Sequence, residues 1–404
     1  MLALASRGTS VKAALTPELL DSTFIGIFPS FCVRKVLSIG DNLTATRSRA
    51  ALLLENFDAE WEQAKDGWSE YWQDAFVPKT TPTSKPPPPS FAQPSTSSSV
   101  LVPRFEGNLP TLVTADAELH RVYYVGVVSM LVLAKHVTAP QAWFAGELVF
   151  VNTLIDCGET ELYVWDTCLN SVLLTLLQPS MFHQYMDKWL TMSGACFDDP
   201  TKTCTGIHSH NDFDYLQKES NGPWYAFNDL MVFRGMATLA SYRGPVQFAS
   251  APLAGRTGID WMRETATFGS INLTQKGASN DAVPLADYGA AYNLLECVPT
   301  YLHKVPSLNA ANAWMMRSTA AVLRALGNAT STDDINEIAT LEAAATNVSK
   351  AVRDRLYVAP SAPSGGGGYW ACEMPNGTLI EVRHVIDFSE SSCVFIRCTG
   401  CYHT

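Results

Sequence analysis

Basic residues and long apolar runs are both scarce in this 404-residue chain. It holds 28 Lys and Arg against 39 Asp and Glu, a formal net charge of -11, and no Lys/Arg cluster. Because a surface that follows phosphates needs positive charge, we do not expect a nucleic-acid partner. The longest apolar run, over 122–134, is too short to cross a bilayer, so no membrane span is expected.

Several well-known catalytic and cofactor motifs are also missing. No Gly-x-Ser-x-Gly elbow occurs, and no Gly-x-Gly-x-x-Gly follows a strand pattern. The glycine run over 365–368 is not followed by Lys-Ser/Thr, so it is not a phosphate loop. His208-x-His210 lacks a third ligand, and Cys398-x-x-Cys401 is half of a zinc pattern. We therefore expect no metal and no cofactor.

Glycosylation sequons give the one hint about the compartment. A convincing signal peptide is not evident at the start of the sequence, which conflicts with that hint. The localisation therefore stays open. The five Asn-x-Ser/Thr sequons begin at Asn42, Asn272, Asn328, Asn347 and Asn376.

Apolar periodicity predicts an all-α protein. Residues 79–104 are rich in Pro, Ser and Thr, which predicts a disordered insertion. Strand signals are confined to a small hairpin near 368–385, turning at Pro375-Asn376-Gly377. Long helices alternate with Gly/Asp/aromatic loops, which is typical of stacked helical hairpins whose loops gather at one end. Helices are predicted around Trp61, Trp68 and Trp72 and over 117–136, 165–178, 181–193, 225–242, 259–268, 307–326 and 332–356.

The strongest chemical signal is a pair of acids among aromatic rings. Asp287 and Glu296 lie in a segment that also holds Tyr288, Tyr292 and Tyr301. Flat rings stack on the apolar faces of a pyranose, and two carboxyls supply the acid and base of glycoside hydrolysis. The structural alternatives are a turn residue for Asp287, before a glycine, and a buried hydrogen-bonded acid for Glu296.

Two helix starts combine rings with polar groups in a way that suits sugar binding. Trp165 and Asp166 stand at the head of an apolar helix, where Asp166 is either a cap or a ligand for sugar hydroxyls. Trp224, Asn228 and Asp229 stand at the mouth of the next long helix, as binding residues or as core and cap. Tyr301 completes the predicted stacking rings.

A final candidate pair lies on the second strand of the predicted hairpin. Period-2 alternation places Glu381 and Arg383 on one face and His384 on the other. Arg383 and His384 are candidate sugar-orienting residues, and a solvated surface strand is the alternative.

Taken in order, these segments resemble the six-hairpin glycosidases, a group that includes mannosylglycerate hydrolase, processing α-glucosidase I and trehalase. The likeness is strongest to the mannosylglycerate-hydrolase-like domain. The resemblance covers roughly residues 45–390. Its pieces are the helix of Trp61, Trp68 and Trp72, FEGNLPTL (105–112), VWDT (164–167), GPWYAFNDLMVFR (222–234), LADYGAAYNLLECVPTY (285–301), SLNAANAWMMR (307–317) and GYWACEMPNGTLIEVRHVIDF (368–388).

The resemblance implies an (α/α)6 toroid and inverting hydrolysis of an α-glycosidic bond in a small sugar or sugar conjugate. Trp165 and Asp166 match the sugar-binding Trp-Asp, and Asp287 matches the general acid, with Glu296 as the alternative. The family's general base lies further along than this chain reaches, which implies an incomplete ring. The domain is expected over 45–390, with an undefined segment at 1–44 and an unrelated tail at 391–404.

Two other functions remain as alternatives to hydrolysis. A carbohydrate-binding or inactive homologue would keep the stacking rings without a complete acid–base pair. An (α/α)-barrel terpenoid cyclase or prenyltransferase would need an Asp-rich motif such as DxDD, which the sequence lacks.

Overall fold

A computed structural model gives the fold and describes most of the predicted helices. The residues that it describes are 2–7, 34–39, 43–77, 105–136, 148–150, 161–191, 193–195, 203–205, 212–214, 220–221, 226–268, 284–289, 300–327, 332–359 and 368–380. The chain divides into two compact units, one up to Val77 and one from Phe105 onward. The predicted insertion at 79–104 lies outside the described residues, and the predicted domain limits stay a prediction.

The described part of the first unit consists of two strands followed by two helices. Strands β1 (Leu2–Arg7) and β2 (Arg34–Ile39) are antiparallel, and helices α1 (Leu43–Glu55) and α2 (Phe57–Phe76) follow. The predicted apolar helix face is only partly buried, because Trp61 is 56% exposed and Trp68 is 44% exposed.

Helices make up most of the described second unit. A single π-helical turn, Val352–Leu356, follows the last α-helix. The α-helices are α3 (Ala117–Val132), α4 (Val164–Leu169), α5 (Ser171–Leu177), α6 (Pro179–Thr191), α7 (Ala226–Arg243), α8 (Pro245–Ser250), α9 (Gly258–Thr267), α10 (Pro306–Ala325) and α11 (Thr332–Ala351).

The described strands of this unit are two or three residues long, and all pair antiparallel. The all-α class predicted from the sequence is therefore confirmed. The pairs are β3 (Ala134–His136) with β4 (Leu148–Phe150), β5 (Glu161–Tyr163) with β8 (Asp212–Asp214) and then β9 (Ser220–Asn221), β6 (Ser193–Ala195) with β7 (Thr203–Thr205), β10 (Pro252–Leu253) with β11 (Arg256–Thr257), β12 (Tyr357–Val358) with β13 (Tyr369–Trp370), and β14 (Cys372–Glu373) with β15 (Leu379–Ile380).

Helices α10 and α11 form a helical hairpin at the centre of the second unit. Arg317 of α10 donates to the Ser349 hydroxyl of α11 at 2.9 Å, and Arg324 pairs with Glu342 nearer the connection. The two contacts run in opposite chain directions, so the helices are antiparallel. Such hairpins are the unit of a toroid-like fold, and closure into a ring of six hairpins stays a prediction.

Helices α7 and α9 pack against this hairpin. Arg263 of α9 binds both carboxylate oxygens of Glu337 at 2.8 Å, and the rings of Phe233 and Trp314 meet edge to face at 5.2 Å. Thr319, fully buried on α10, donates to the Met262 carbonyl at 3.4 Å. The core therefore lies between α7, α9 and α10, which is where the polar groups of the site also meet.

Two predicted helices are shorter or broken. The helix predicted over 117–136 ends at Val132, because residues 134–136 pair with a strand whose Val149 and Phe150 are buried. The helix predicted over 165–178 breaks at Asn170, whose φ of -88° and ψ of 8° lie outside the helical region. In the first place strand pairing overrules helix propensity, and in the second the Asn170 N–H donates to the Thr167 carbonyl at 3.1 Å, a tighter turn than that of an α-helix.

The start of α10 also differs from the predicted cap at Ser307 or Asn309. The N-cap is Val305, and Pro306 takes the first helical position, where its missing N–H costs nothing. The predicted stop at Gly327 is confirmed by its φ of +65°. Ser307 and Asn309 are thereby left for tertiary contacts.

The predicted small hairpin is confirmed over part of its length. Cys372–Glu373 pairs with Leu379–Ile380 around a turn in which Gly377 has a φ of +82°. Tyr369–Trp370 pairs instead with Tyr357–Val358. Residues 381–385 lie outside the described part of the chain. None of the described helices is both long and apolar enough to cross a membrane.

Glycine is required where the segment after Phe105 meets the end of α5. The Gly107 N–H donates to the Leu177 carbonyl at 3.0 Å, and a Cβ at 107 would lie 2.0 Å from the Leu176 oxygen. We expect Gly107→Ala to lower the free energy of unfolding by about 1–3 kcal/mol, because backbone must move. Urea unfolding measures the change.

Gly126 provides the matched control. It is exposed inside α3, and a Cβ there meets nothing within 4 Å. Gly126→Ala should therefore stabilise the protein by up to about 1 kcal/mol. Equal changes in the two variants would contradict the packing described at Gly107.

Candidate active site

The segment that carries Asp287 is fixed to helix α10 by one buried amide. Asn309 is fully buried, and its Oδ1 accepts the Ala286 N–H at 2.7 Å. Its Nδ2 donates to the carbonyls of Ala286 at 3.1 Å and Val305 at 2.9 Å. The amide thus satisfies both backbone groups of Ala286, as a neighbouring strand would. It thereby fixes the backbone position from which the next residue, Asp287, follows.

Asp287 has one oxygen held and one oxygen open. Its Oδ1 accepts the Gly289 N–H at 2.8 Å and lies 2.9 Å from Nδ1 of His303. Its Oδ2 makes no hydrogen bond within the described part of the chain, and the side chain is 12% exposed. The contact with Gly289 is the turn bond expected of an Asp before a glycine, whose φ here is +78°. The structural alternative and the catalytic prediction are therefore both compatible with this geometry.

His303 closes the loop on Asp287 from the other side. The His303 N–H donates to the Gly289 carbonyl at 2.7 Å, and the His303 carbonyl accepts the Tyr288 N–H at 3.0 Å. Its φ is +61°, in the left-handed region, where a residue with a Cβ carries about 1–3 kcal/mol of strain. Such strain persists only where the surroundings fix it, and both backbone bonds do so.

A buried cluster of charges follows directly after His303. The Lys304 ammonium lies 2.8 Å from Oε1 of Glu373, and both side chains are nearly inaccessible. Arg355 donates to the same carboxylate twice, at 2.8 Å and 2.6 Å. The Glu373 carboxylate thus pairs with two cations. One of them, Lys304, directly follows His303, the residue that contacts Asp287.

A small cavity with mixed polar and apolar walls lies on the Tyr288 side of the same segment, and its volume of about 10 Å³ leaves room for about one water molecule. Helices α7, α9 and α10 supply its polar side chains Asp229, Thr265 and Asn312. The Tyr288 hydroxyl accepts from Asn312 Nδ2 at 2.8 Å. The apolar lining is Leu230, Leu308, Ala311 and Met315.

Tyr288 is held in its neutral form in this cavity. Burial raises the pKa of its hydroxyl far above the usual range, and the nearby Asp229 carboxylate raises that pKa further. The hydrogen bond from Asn312 acts in the opposite direction. A neutral phenol that accepts from Asn312 keeps its own proton to donate, which is the chemistry that orients a hydroxyl or a water.

Helix α4 contacts α7 through Trp165, one of the predicted binding residues. Trp165 is half-buried, and its ring meets Phe227 edge to face at 5.8 Å. Phe227 immediately precedes Asn228 and Asp229, which are buried in the first turn of α7. Asp166 belongs to α4, but the structure does not describe its side chain. The sugar-binding role of this group stays a prediction.

Tyr301 is the most enclosed of the predicted rings that the structure describes. It is 2% exposed, and its hydroxyl contacts the Ser307 hydroxyl at the start of α10. Its ring therefore faces protein in this conformation, and its stacking role stays a prediction. Glu296, Trp224, Arg383 and His384 lie outside the described residues.

Three contributors to the site carry no local signal in the sequence. Asn309 has the pattern of a helix cap, while His303 and Asn312 contact partners 16 and 24 positions away. A spacing of acids around a loop cannot reveal such contacts. Among the described residues, no group of three His, Cys, Asp or Glu side chains could hold a metal ion.

Comparison with known proteins gives similarities of fold only. No protein-family model matches the chain, and no curated protein matches it. A GH78 family rhamnosidase of Bacillus sp. GL1 is similar over 70% of this chain and 24% of its own, at 11% identity and a TM-score of 0.45. A rhamnosidase from Klebsiella oxytoca is similar over 65% of this chain and 42% of its own, at 9% identity and a TM-score of 0.41.

A third similar structure is a metal-independent α-mannosidase of Streptococcus pneumoniae. It covers 64% of this chain and 67% of its own, at 8% identity and a TM-score of 0.30. All three proteins are glycosidases, and this chain spans less than half the length of the two rhamnosidases. Identities and TM-scores this low leave the activity to be argued from the residues of the site.

The bridge made by Asn309 can be tested by removing it. We expect Asn309→Ala to cost about 1–3 kcal/mol for each buried group of Ala286 that loses its partner. Urea unfolding gives the total, and limited proteolysis reports whether the segment over 284–289 opens. Asn336→Ala, on the exposed face of α11, is the control and should stay within about 0.5 kcal/mol. A loss in Asn309→Ala no greater than in the control would contradict the bridge.

Proposed function

We propose that the chain belongs to a glycoside hydrolase that cleaves an α-glycosidic bond in a small sugar or sugar conjugate, with inversion. The observation that carries the proposal is the Asp287 carboxyl. One of its oxygens is fixed by Gly289 and His303, and the other accepts no hydrogen bond from the residues that the structure describes. A general acid needs this division, because the proton it donates must sit on an oxygen that the protein does not occupy.

The proposed reaction uses Asp287 as the acid. The proton on Oδ2 passes to the leaving glycosidic oxygen as the bond from that oxygen to the anomeric carbon breaks. A water attacks the anomeric carbon from the opposite face and loses its proton to a base, which gives a sugar of inverted configuration. Oδ1 accepts two hydrogen bonds throughout, so the carboxyl does not rotate. Glu296 stays the alternative acid, and the base is not among the residues assigned.

The groups beside Asp287 suit a sugar ligand. Asp229, Asn312 and the neutral Tyr288 offer both acceptors and donors around a cavity of about one water, which suits the binding of a water or of a single sugar hydroxyl. Trp165 contacts Phe227 beside the same turn of α7 and is half-buried, as a ring that stacks on a sugar at the surface would be. The resemblance of the sequence to six-hairpin glycosidases supports the same class of substrate.

A carbohydrate-binding protein without turnover is the second candidate. It is favoured by the turn bond from Gly289 to Asp287, which a purely structural Asp would also make. The two functions differ in whether a reducing sugar is released.

Turnover by the full chain and by Asp287→Asn tests the proposal. The panel comprises α-glucosides, α-mannosides and α-rhamnosides, with proton NMR following the anomer that is formed first. We expect the wild type to release the inverted anomer, and Asp287→Asn to lower kcat/KM by about 10²- to 10⁴-fold because the proton donor is lost.

Asp354→Asn is the matched control. Asp354 is exposed on the π-helical turn and pairs only with Lys350 among the described residues, so its loss should leave the rate unchanged. Sugar binding without release would favour the binding protein. An active Asp287→Asn variant would remove Asp287 from the role of acid.

A further inference from the structure

The charge cluster of Lys304, Glu373 and Arg355, here called the ionic clamp, is joined to the Asp287 loop through the backbone. Lys304 and Glu373 exchange both backbone hydrogen bonds, at 3.2 Å and 3.1 Å, in an isolated antiparallel bridge. Their side chains then meet at 2.8 Å. Residue 304 is therefore fixed at both its backbone and its side chain, and residue 303 is the next one along.

Arg355 reaches the clamp from an unusual helical turn. It lies in the π-helical turn that ends α11, and it binds Glu373 with two parallel hydrogen bonds. Single π-helical turns occur often at functional sites. Here the turn carries the second cation of the clamp.

Stability alone does not account for such a cluster. Buried ions lose their hydration, and well-packed apolar side chains of similar volume give equal or greater stability. The demonstrated use of a buried charge is to fix one geometry among several. The geometry next to the clamp is the strained His303, whose φ of +61° keeps its imidazole 2.9 Å from Oδ1 of Asp287.

We propose that His303 is a positioning residue for Asp287, and that the ionic clamp holds His303 in its left-handed conformation. His303 donates from Nδ1 to Oδ1, so that Oδ2 alone carries the transferable proton. The role in turnover rests on the proposed function, while the geometric role does not. None of the four residues of this device was among the candidates that the sequence provides.

Substitutions at His303 separate the imidazole from the backbone. His303→Gly accepts the positive φ without strain but has no donor. His303→Asn tolerates the same conformation and keeps a side-chain N–H. We expect kcat to fall about 10- to 100-fold in His303→Gly, with KM changed less than about threefold, since the carboxyl is misplaced rather than lost. His303→Asn should recover at least about half of that loss on a logarithmic scale. Equal rates in the two variants, or a wild-type rate in His303→Gly, would overturn the proposal.

The clamp is tested by the double variant K304M/E373Q, which removes the Lys304–Glu373 charge pair and leaves the Arg355 guanidinium, 26% exposed, with a neutral amide oxygen as its acceptor. Its control is K65M/E62Q, the same two residue types in an exposed pair on α2, 2.6 Å apart. We expect kcat to fall at least about tenfold in the clamp variant and to stay at the wild-type value in the control. Circular dichroism checks that both are folded. A folded clamp variant with the wild-type kcat would overturn the clamp's role.

Nitrogen NMR of the His303 imidazole decides the geometry without any assay of activity. The signal of a protonated, hydrogen-bonded Nδ1 is expected in the wild type and in K65M/E62Q, and it should be lost in Asp287→Ala, which has no acceptor oxygen, and in K304M/E373Q. His303→Asn identifies the signal among the eight histidines. This measurement does not depend on whether the wild type cleaves a glycoside. If K304M/E373Q retained the Nδ1 signal, the proposed role of the clamp in holding His303 would be overturned.

Discussion

The site depends on the bridge between the Asn309 side chain and the backbone of Ala286. Residues 284–289 have no regular secondary structure of their own, so their buried N–H and C=O groups need partners from elsewhere. Asn309 provides a donor and an acceptor on one side chain, from a helix whose buried face is already fixed by α7, α9 and α11. The position of Asp287 is therefore fixed by helix α10 rather than by the loop that carries it.

A second set of polar contacts fixes the other side of the same loop. Lys304, Glu373 and Arg355 join the turn before α10 to the end of α11 and to the small hairpin that follows it. Between the two sets lie Asp287 and His303, the partly accessible acid and its imidazole partner. Because buried hydrogen bonds are costly to break, these contacts hold Oδ1 of Asp287 in place, while Oδ2 accepts no hydrogen bond from the described residues.

The sequence predicts the helices better than it predicts the contacts between them. Helix α10 was placed within one residue at each end, because Gly327 ends it and its apolar period is clear. The helix after Ala117 was predicted too long, because the strand partner that shortens it lies beyond position 147. Asn309 shows the same limit for the site: locally it has the pattern of a cap, and only the fold makes it a bridge.

The site shows a similar division between local and distant information. Asp287, Asn228 and Asp229 could be singled out because acids and amides beside rings have a local pattern. His303 and Asn312 could not, since each acts on a partner in another segment. The stacking role of Tyr301 stays a prediction, since its ring is buried in this conformation.

In the proposed mechanism, Oδ2 of Asp287 meets the glycosidic oxygen while Oδ1 stays with His303. A crystal structure of the full chain with a non-hydrolysable thio-linked α-disaccharide measures both contacts at once. We expect a linking sulfur within about 3.5 Å of Oδ2 and an unchanged contact between Oδ1 and Nδ1. A disaccharide bound elsewhere on the molecule, or an Oδ2 turned into the protein, would contradict it.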